Sequence, residues 1–136
     1  MRYIKKNIYA ATLQETWLKG NYHQQLPNGK LLVHHGPASQ KSARGQGGVA
    51  IILRKEAVED WKENRYEIEY GGANEKGTTR LMSITTKIFK IKSQNYTTLK
   101  LVSAYFPDSG KTEDIHQNFK ESFLDIIKTK KQILII

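Results

Sequence analysis

The side chains of this sequence that could do chemistry are few, and each has an ordinary alternative. Four histidines, His23, His34, His35 and His116, follow no standard metal-ligand spacing. His34 and His35 are neighbours in an apolar run, so in a strand they point to opposite faces, and all four read as surface or ordinary packing residues. No cysteine is present, which excludes disulfides and thiolate metal sites and suits a reducing, intracellular compartment. Glu15, at the end of an apolar stretch, reads by itself as an exposed acid at a strand end. Lys41 and Arg44 sit in a stretch rich in Ser, Gly and Gln, either a basic loop that touches phosphates or a simply solvated one. Lys and Arg total 22 against 13 Asp and Glu, a net charge of +9. That excess favours polyanionic partners, nucleic acid first, and serves solubility equally well.

These groups need elements to position them, and the chain reads as one unit without repeats or low-complexity segments. Met1–Lys6 lacks the apolar stretch of a signal peptide, and no apolar run is long enough to span a membrane. Residues 8–14 read as a strand, and Leu26-Pro27-Asn28-Gly29 as a turn. Lys30–His34 reads as a strand, and residues 36–48 as a mobile surface loop. Gly47-Gly48 then opens a strand over Val49–Leu53. Ala57, Val58 and Trp61 share one face of a short helix over residues 55–63. Tyr66, Ile68 and Tyr70 alternate with charged residues as in a half-buried strand, closed by a turn at residues 71–74. Arg80–Lys92 and Thr97–Tyr105, joined by Ser93-Gln94-Asn95, have the pattern of an antiparallel hairpin. Ile115, Phe119, Phe123, Ile126 and Ile127 fall on one face of a helix over about 112–130. Ile133–Ile136 closes the sequence as an apolar strand. The fold class is α+β.

Several short motifs then fall in order: Leu13-Gln14-Glu15-Thr16 at a strand end, Gly48-Val49-Ala50-Ile51-Ile52-Leu53, Arg80 before a strand, and Val102-Ser103-Ala104-Tyr105-Phe106-Pro107. With the final Ile-Leu-Ile-Ile, they resemble the endonuclease/exonuclease/phosphatase superfamily across nearly the whole chain. Trp17-Leu18 after the first motif is closest to the endonucleases of non-LTR retrotransposons. The resemblance implies a four-layer α/β sandwich like that of deoxyribonuclease I, of which this chain would form one sheet and part of another. It implies phosphodiester hydrolysis of DNA with bound Mg²⁺ (or Mn²⁺), and the nucleus as a working compartment. Glu15 would be the metal ligand, as suits a cation that prefers oxygen and keeps most of its waters. Tyr105 would hydrogen-bond the scissile phosphate, a donor that adds no charge. Arg80 would support Glu15 or contact the substrate backbone, with a solvated strand-end arginine as the equal alternative, and Asp108, Lys41 and Arg44 would lie on the substrate side. Asp108 stands where many members carry Asn, and a carboxylate there repels phosphate unless neutralised. Gln14 is expected to be structural.

The resemblance also implies parts that residues 1–136 lack: an Asn on the first strand, a Gly-Asp-x-Asn segment, a late Asp and a Ser-Asp-His group. The expectation is therefore a partial domain, roughly the middle third to half of the parent, with negligible nuclease activity because the family's base is missing. An uncovered inner sheet face would make such a chain marginal or prone to aggregate. Two other readings stay open: a non-catalytic nucleic-acid-binding remnant using charge alone, and a phosphatase or phosphodiesterase branch of the same superfamily.

Overall fold

A computed structural model of the chain describes residues 8–37, 47–71, 80–89, 95–107, 110, 113–128 and 132–135. The first half builds one antiparallel sheet from β1 (Ala10–Gln14), β2 (Tyr22–Gln25), β3 (Leu31–His35) and β4 (Val49–Leu53), in the order β1-β4-β3-β2. The second half builds another from β5 (Ile68–Gly71), β6 (Leu81–Phe89), β7 (Tyr96–Ala104) and β8 (Gln132–Ile135), in sequence order. In it, β5, β6 and β7 are antiparallel, and β8 joins β7 in parallel. Helix α1 (Lys55–Glu63) connects the two sheets in sequence, and α2 (Glu113–Ile127) connects β7 to β8. The α+β class expected from the sequence is what folds.

Period-two alternation explains how the layers meet. Leu31, Val33, Val49, Ile51 and Leu53 turn towards Met82, Ile84 and Leu101, and the two sheets bury these side chains in one cluster. Ala57 and Trp61 of α1 complete that cluster. The buried Trp61 indole N–H donates to the Glu67 carbonyl at 2.9 Å, so the large ring costs no unsatisfied donor. On the other face of the second sheet, Leu81 and Val102 pack against Phe119 and Ile126 of α2. Lys100 also lies on that side, 4% exposed. Its Nζ donates to Glu69 Oε1 at 2.6 Å and to the Ile126 carbonyl at 2.8 Å. A cation there meets the negative end of the helix dipole.

The arrangement corrects three expectations. Two four-stranded sheets pack on one another through a shared inner cluster, where one sheet and part of another was expected. Alternation along the sequence marks which residues point inward but not which strands share a sheet. Strand β2 went unread because Tyr22-His23-Gln24-Gln25 is polar, as an edge strand exposed on its outer side can be. Tyr66 is not in β5 but in the turn after α1, at φ 56°, with its ring edge-on to Trp61 at 5.1 Å. The turn expected at residues 71–74 and the loop at 36–48 fall largely outside the described residues.

Candidate functional site

The carboxyl ends of β1, β3 and β7 and the amino ends of β4 and β6 meet at one rim of the sandwich. Gln14, the last residue of β1, reaches across the rim, its Nε2 donating to Ser103 Oγ of β7 at 3.4 Å and to Thr12 Oγ1 at 3.0 Å. Ser103 Oγ in turn lies 3.4 Å from the Leu13 carbonyl, to which it donates. These bonds tie the first sheet to the second just beneath Glu15. Gln14 has the structural role expected of it.

In a continuing strand, Glu15 would point away from the second sheet, because Gln14 points towards it. Instead, Glu15 takes a left-handed backbone, φ 50°, which ends the strand and turns its side chain. The Tyr105 hydroxyl donates to Glu15 Oε1 at 2.7 Å. Two residues 90 positions apart are thereby joined at the rim, and Glu15 is exposed to solvent there. Non-glycine residues in this conformation cost on the order of 1 kcal/mol, so the turn must be held by its surroundings.

Arg80 lies beneath Tyr105. Its backbone carbonyl accepts from the Tyr105 amide at 2.7 Å, extending the β6–β7 ladder by one step. Its guanidinium carbon stands 4.9 Å from the centre of the Tyr105 ring, and Nη1 donates to the Tyr105 carbonyl at 3.5 Å. Arg80 is 1% exposed, so it is not a solvated strand-end arginine, and its Nε has no hydrogen-bond partner among the described residues. Lys41, Arg44 and Asp108 fall outside the described residues.

The loop after Glu15 closes on His34. Thr16 N–H donates to the Gly48 carbonyl at 3.1 Å, and Leu18 N–H to Thr16 Oγ1 at 3.3 Å. His34 Nε2 is 2.5 Å from Thr16 Oγ1, and Nδ1 is 2.8 Å from the Gly20 carbonyl. The ring is fully buried and stacked on Tyr22 at 4.8 Å. Burial holds its pKa below the ordinary histidine value. His35 points to the opposite face, as expected, and is also buried. It stacks on Tyr70 at 4.4 Å, and its Nδ1 lies 2.8 Å from Asn21 Oδ1 and its Nε2 3.4 Å from the Gly71 carbonyl. Burial pushes its pKa down to about 4. Reading His34 as ordinary packing missed its polar role. The available signal was an adjacent histidine pair inside an apolar strand, followed at once by Gly36.

Among the described residues, no group of three or more His, Asp or Glu side chains gathers to hold a metal ion. What the rim offers among the described residues is the exposed Glu15 carboxylate, a hard oxygen donor with the Tyr105 hydroxyl beside it. That is a fit for Mg²⁺, which is often held by one or two carboxylates and otherwise by water. None of the described helices is long and apolar enough to cross a membrane. Comparison with known proteins finds no matching family model, no matching curated protein and no matching solved structure.

Proposed function

We propose that the chain carries the metal- and phosphate-positioning part of a site that hydrolyses DNA phosphodiesters with bound Mg²⁺ (or Mn²⁺), on a sandwich of the deoxyribonuclease I type. The observation that carries this reading is the 2.7 Å contact of the Tyr105 hydroxyl with Glu15. The motifs that suggested these residues lie at opposite ends of the chain, and nothing in their spacing requires them to touch. Glu15 would hold the metal, and its exposure leaves room for water and substrate phosphate. A bound Mg²⁺ supplies Lewis-acid polarisation of a phosphoryl oxygen. Tyr105, whose one hydroxyl proton goes to Glu15 here, would turn it to the phosphate once Glu15 is taken up by Mg²⁺, a donor that adds no charge. Arg80 brings a buried positive charge under the tyrosine ring, which favours an anion above it. The +9 net charge draws the nucleic acid to the surface.

Glu15 and Tyr105 position a metal and a phosphate but supply no base, so we expect this chain to nick supercoiled plasmid negligibly. The test is binding. Titration of Mg²⁺ or Mn²⁺ into the chain, and of short duplex DNA with and without Mg²⁺, is compared with Glu15→Ala. The metal reading expects Mg²⁺ to strengthen DNA binding and Glu15→Ala to abolish that gain. Binding that weakens with salt, ignores Mg²⁺ and survives Glu15→Ala would instead favour a module that uses charge alone. A preference for small phosphate esters over DNA would favour the phosphatase branch.

A further inference from the structure

The left-handed turn at Glu15 needs a support, and the loop that follows is organised around one imidazole. We propose that His34 is a positioning residue for the site: as a neutral ring protonated on Nδ1, it fixes Thr16, and through Thr16 the backbone that presents Glu15 to Tyr105. Its functional weight rests on the reading of Glu15 as a metal ligand, while its structural claim does not.

Hydrogen-bond direction carries the argument. The Gly20 carbonyl can only accept, so His34 Nδ1 must carry a proton and donate to it at 2.8 Å. In the neutral ring, which burial favours, Nε2 then has only a lone pair. Thr16 must therefore donate its hydroxyl proton into Nε2, across 2.5 Å. The lone pairs of that hydroxyl are left to receive Leu18 N–H at 3.3 Å. From Leu18 to Thr16 to His34 to Gly20, each group is used in one direction only. A ring that merely filled space would need no such order.

Two glycines make the same point from outside the network. A Cβ at Gly48, where φ is 86°, would collide with Thr16 Oγ1. A Cβ at Gly36 would stand 2.5 Å from His34 Cε1 and 2.5 Å from the Leu18 carbonyl. The backbone on both sides of the missing side chains has closed onto Thr16 and His34.

The test uses isotope-labelled full chain in solution and compares wild type, Thr16→Val and Thr16→Ser. Valine keeps the shape of threonine and removes the hydroxyl, whereas serine keeps the hydroxyl. Nitrogen shifts of His34 in the wild type are expected to report a neutral, Nδ1-protonated ring. Thr16→Val is expected to speed Leu18 amide exchange about tenfold, the worth of one hydrogen bond. It should also erase the nuclear Overhauser contact between Glu15 and the Tyr105 ring, with Thr16→Ser restoring both. Unchanged exchange at Leu101 in the core shows that the variants stay folded. A Glu15–Tyr105 contact that survives Thr16→Val overturns the proposal, as does an Nε2-protonated ring in the wild type. If Thr16→Val does not fold, the wild-type tautomer decides alone. Should the contact depend on Thr16 while Mg²⁺ never perturbs Glu15, the positioning role stands and the metal reading falls.

Discussion

His35 shows at the scale of one residue how burial becomes a pH response. Its pKa in the folded chain is about 4, below the ordinary histidine value near 6.5. The unfolded chain therefore takes the proton first as pH falls. The stability involved is fully present above about pH 6.5 and is lost as pH drops towards 4, on the order of 3 kcal/mol. His34, shifted in the same direction, adds to this. Urea midpoints should fall between about pH 7 and about pH 4.5, and the fall should be smaller in His35→Gln. A midpoint equal at both pH values would count against burial as the cause. Lys100 gives the complementary case of a buried cation that is paired. Lys100→Ala removes the donor to the Ile126 carbonyl and to Glu69. Glu69 is 42% exposed and can turn to water, so the loss should be about 2 kcal/mol and not the full penalty of a broken buried pair. Chemical denaturation of Lys100→Ala checks this, and a neutral result would mean that α2 does not depend on the clamp.

At the scale of elements, β1 and β4 run side by side, and the loops at their rim ends hold Glu15 and Gly48. Gly48 matters there for two physical reasons. Its φ of 86° is disfavoured for any L side chain, and the space a Cβ needs is filled by Thr16. Gly48→Ala should therefore destabilise the chain by about 2 kcal/mol or more and disturb the turn at Glu15. Gly20, also at positive φ but with open space around its Cβ position, should tolerate alanine better. Thermal unfolding of the two variants side by side makes the comparison, and equal losses would remove the crowding argument.

At the scale of the molecule, the sheets share one buried cluster, to which Leu53, Trp61, Ile84 and Leu101 all belong. The inner faces of the two sheets meet in this cluster, and whether it is enough against the marginal stability expected from the sequence is a matter for measurement. A shared core also predicts that the sheets unfold together. Calorimetry should give a single cooperative transition with equal calorimetric and van't Hoff enthalpies. Two separable transitions would mean that the inner cluster contributes less than its burial implies.

The sequence by itself determined most of the elements. Apolar spacing located α1 at residues 55–63, which buries one face, and runs rich in apolar and β-branched residues located β4 at Val49–Leu53 and the β6–β7 hairpin, whose strands are largely buried on both faces. It also offered Glu15 and Tyr105 as a pair through separate motifs. It could not place β2, whose polar side chains carry no such record, nor the partition of strands between sheets. Tertiary structure alone decided that Arg80 is buried under Tyr105, and that His34 and Thr16 meet in a hydrogen bond. The physical reason is common to both. Burial and hydrogen-bond partnership depend on which atoms fill the remaining space, and those atoms come from parts of the chain that no local pattern connects.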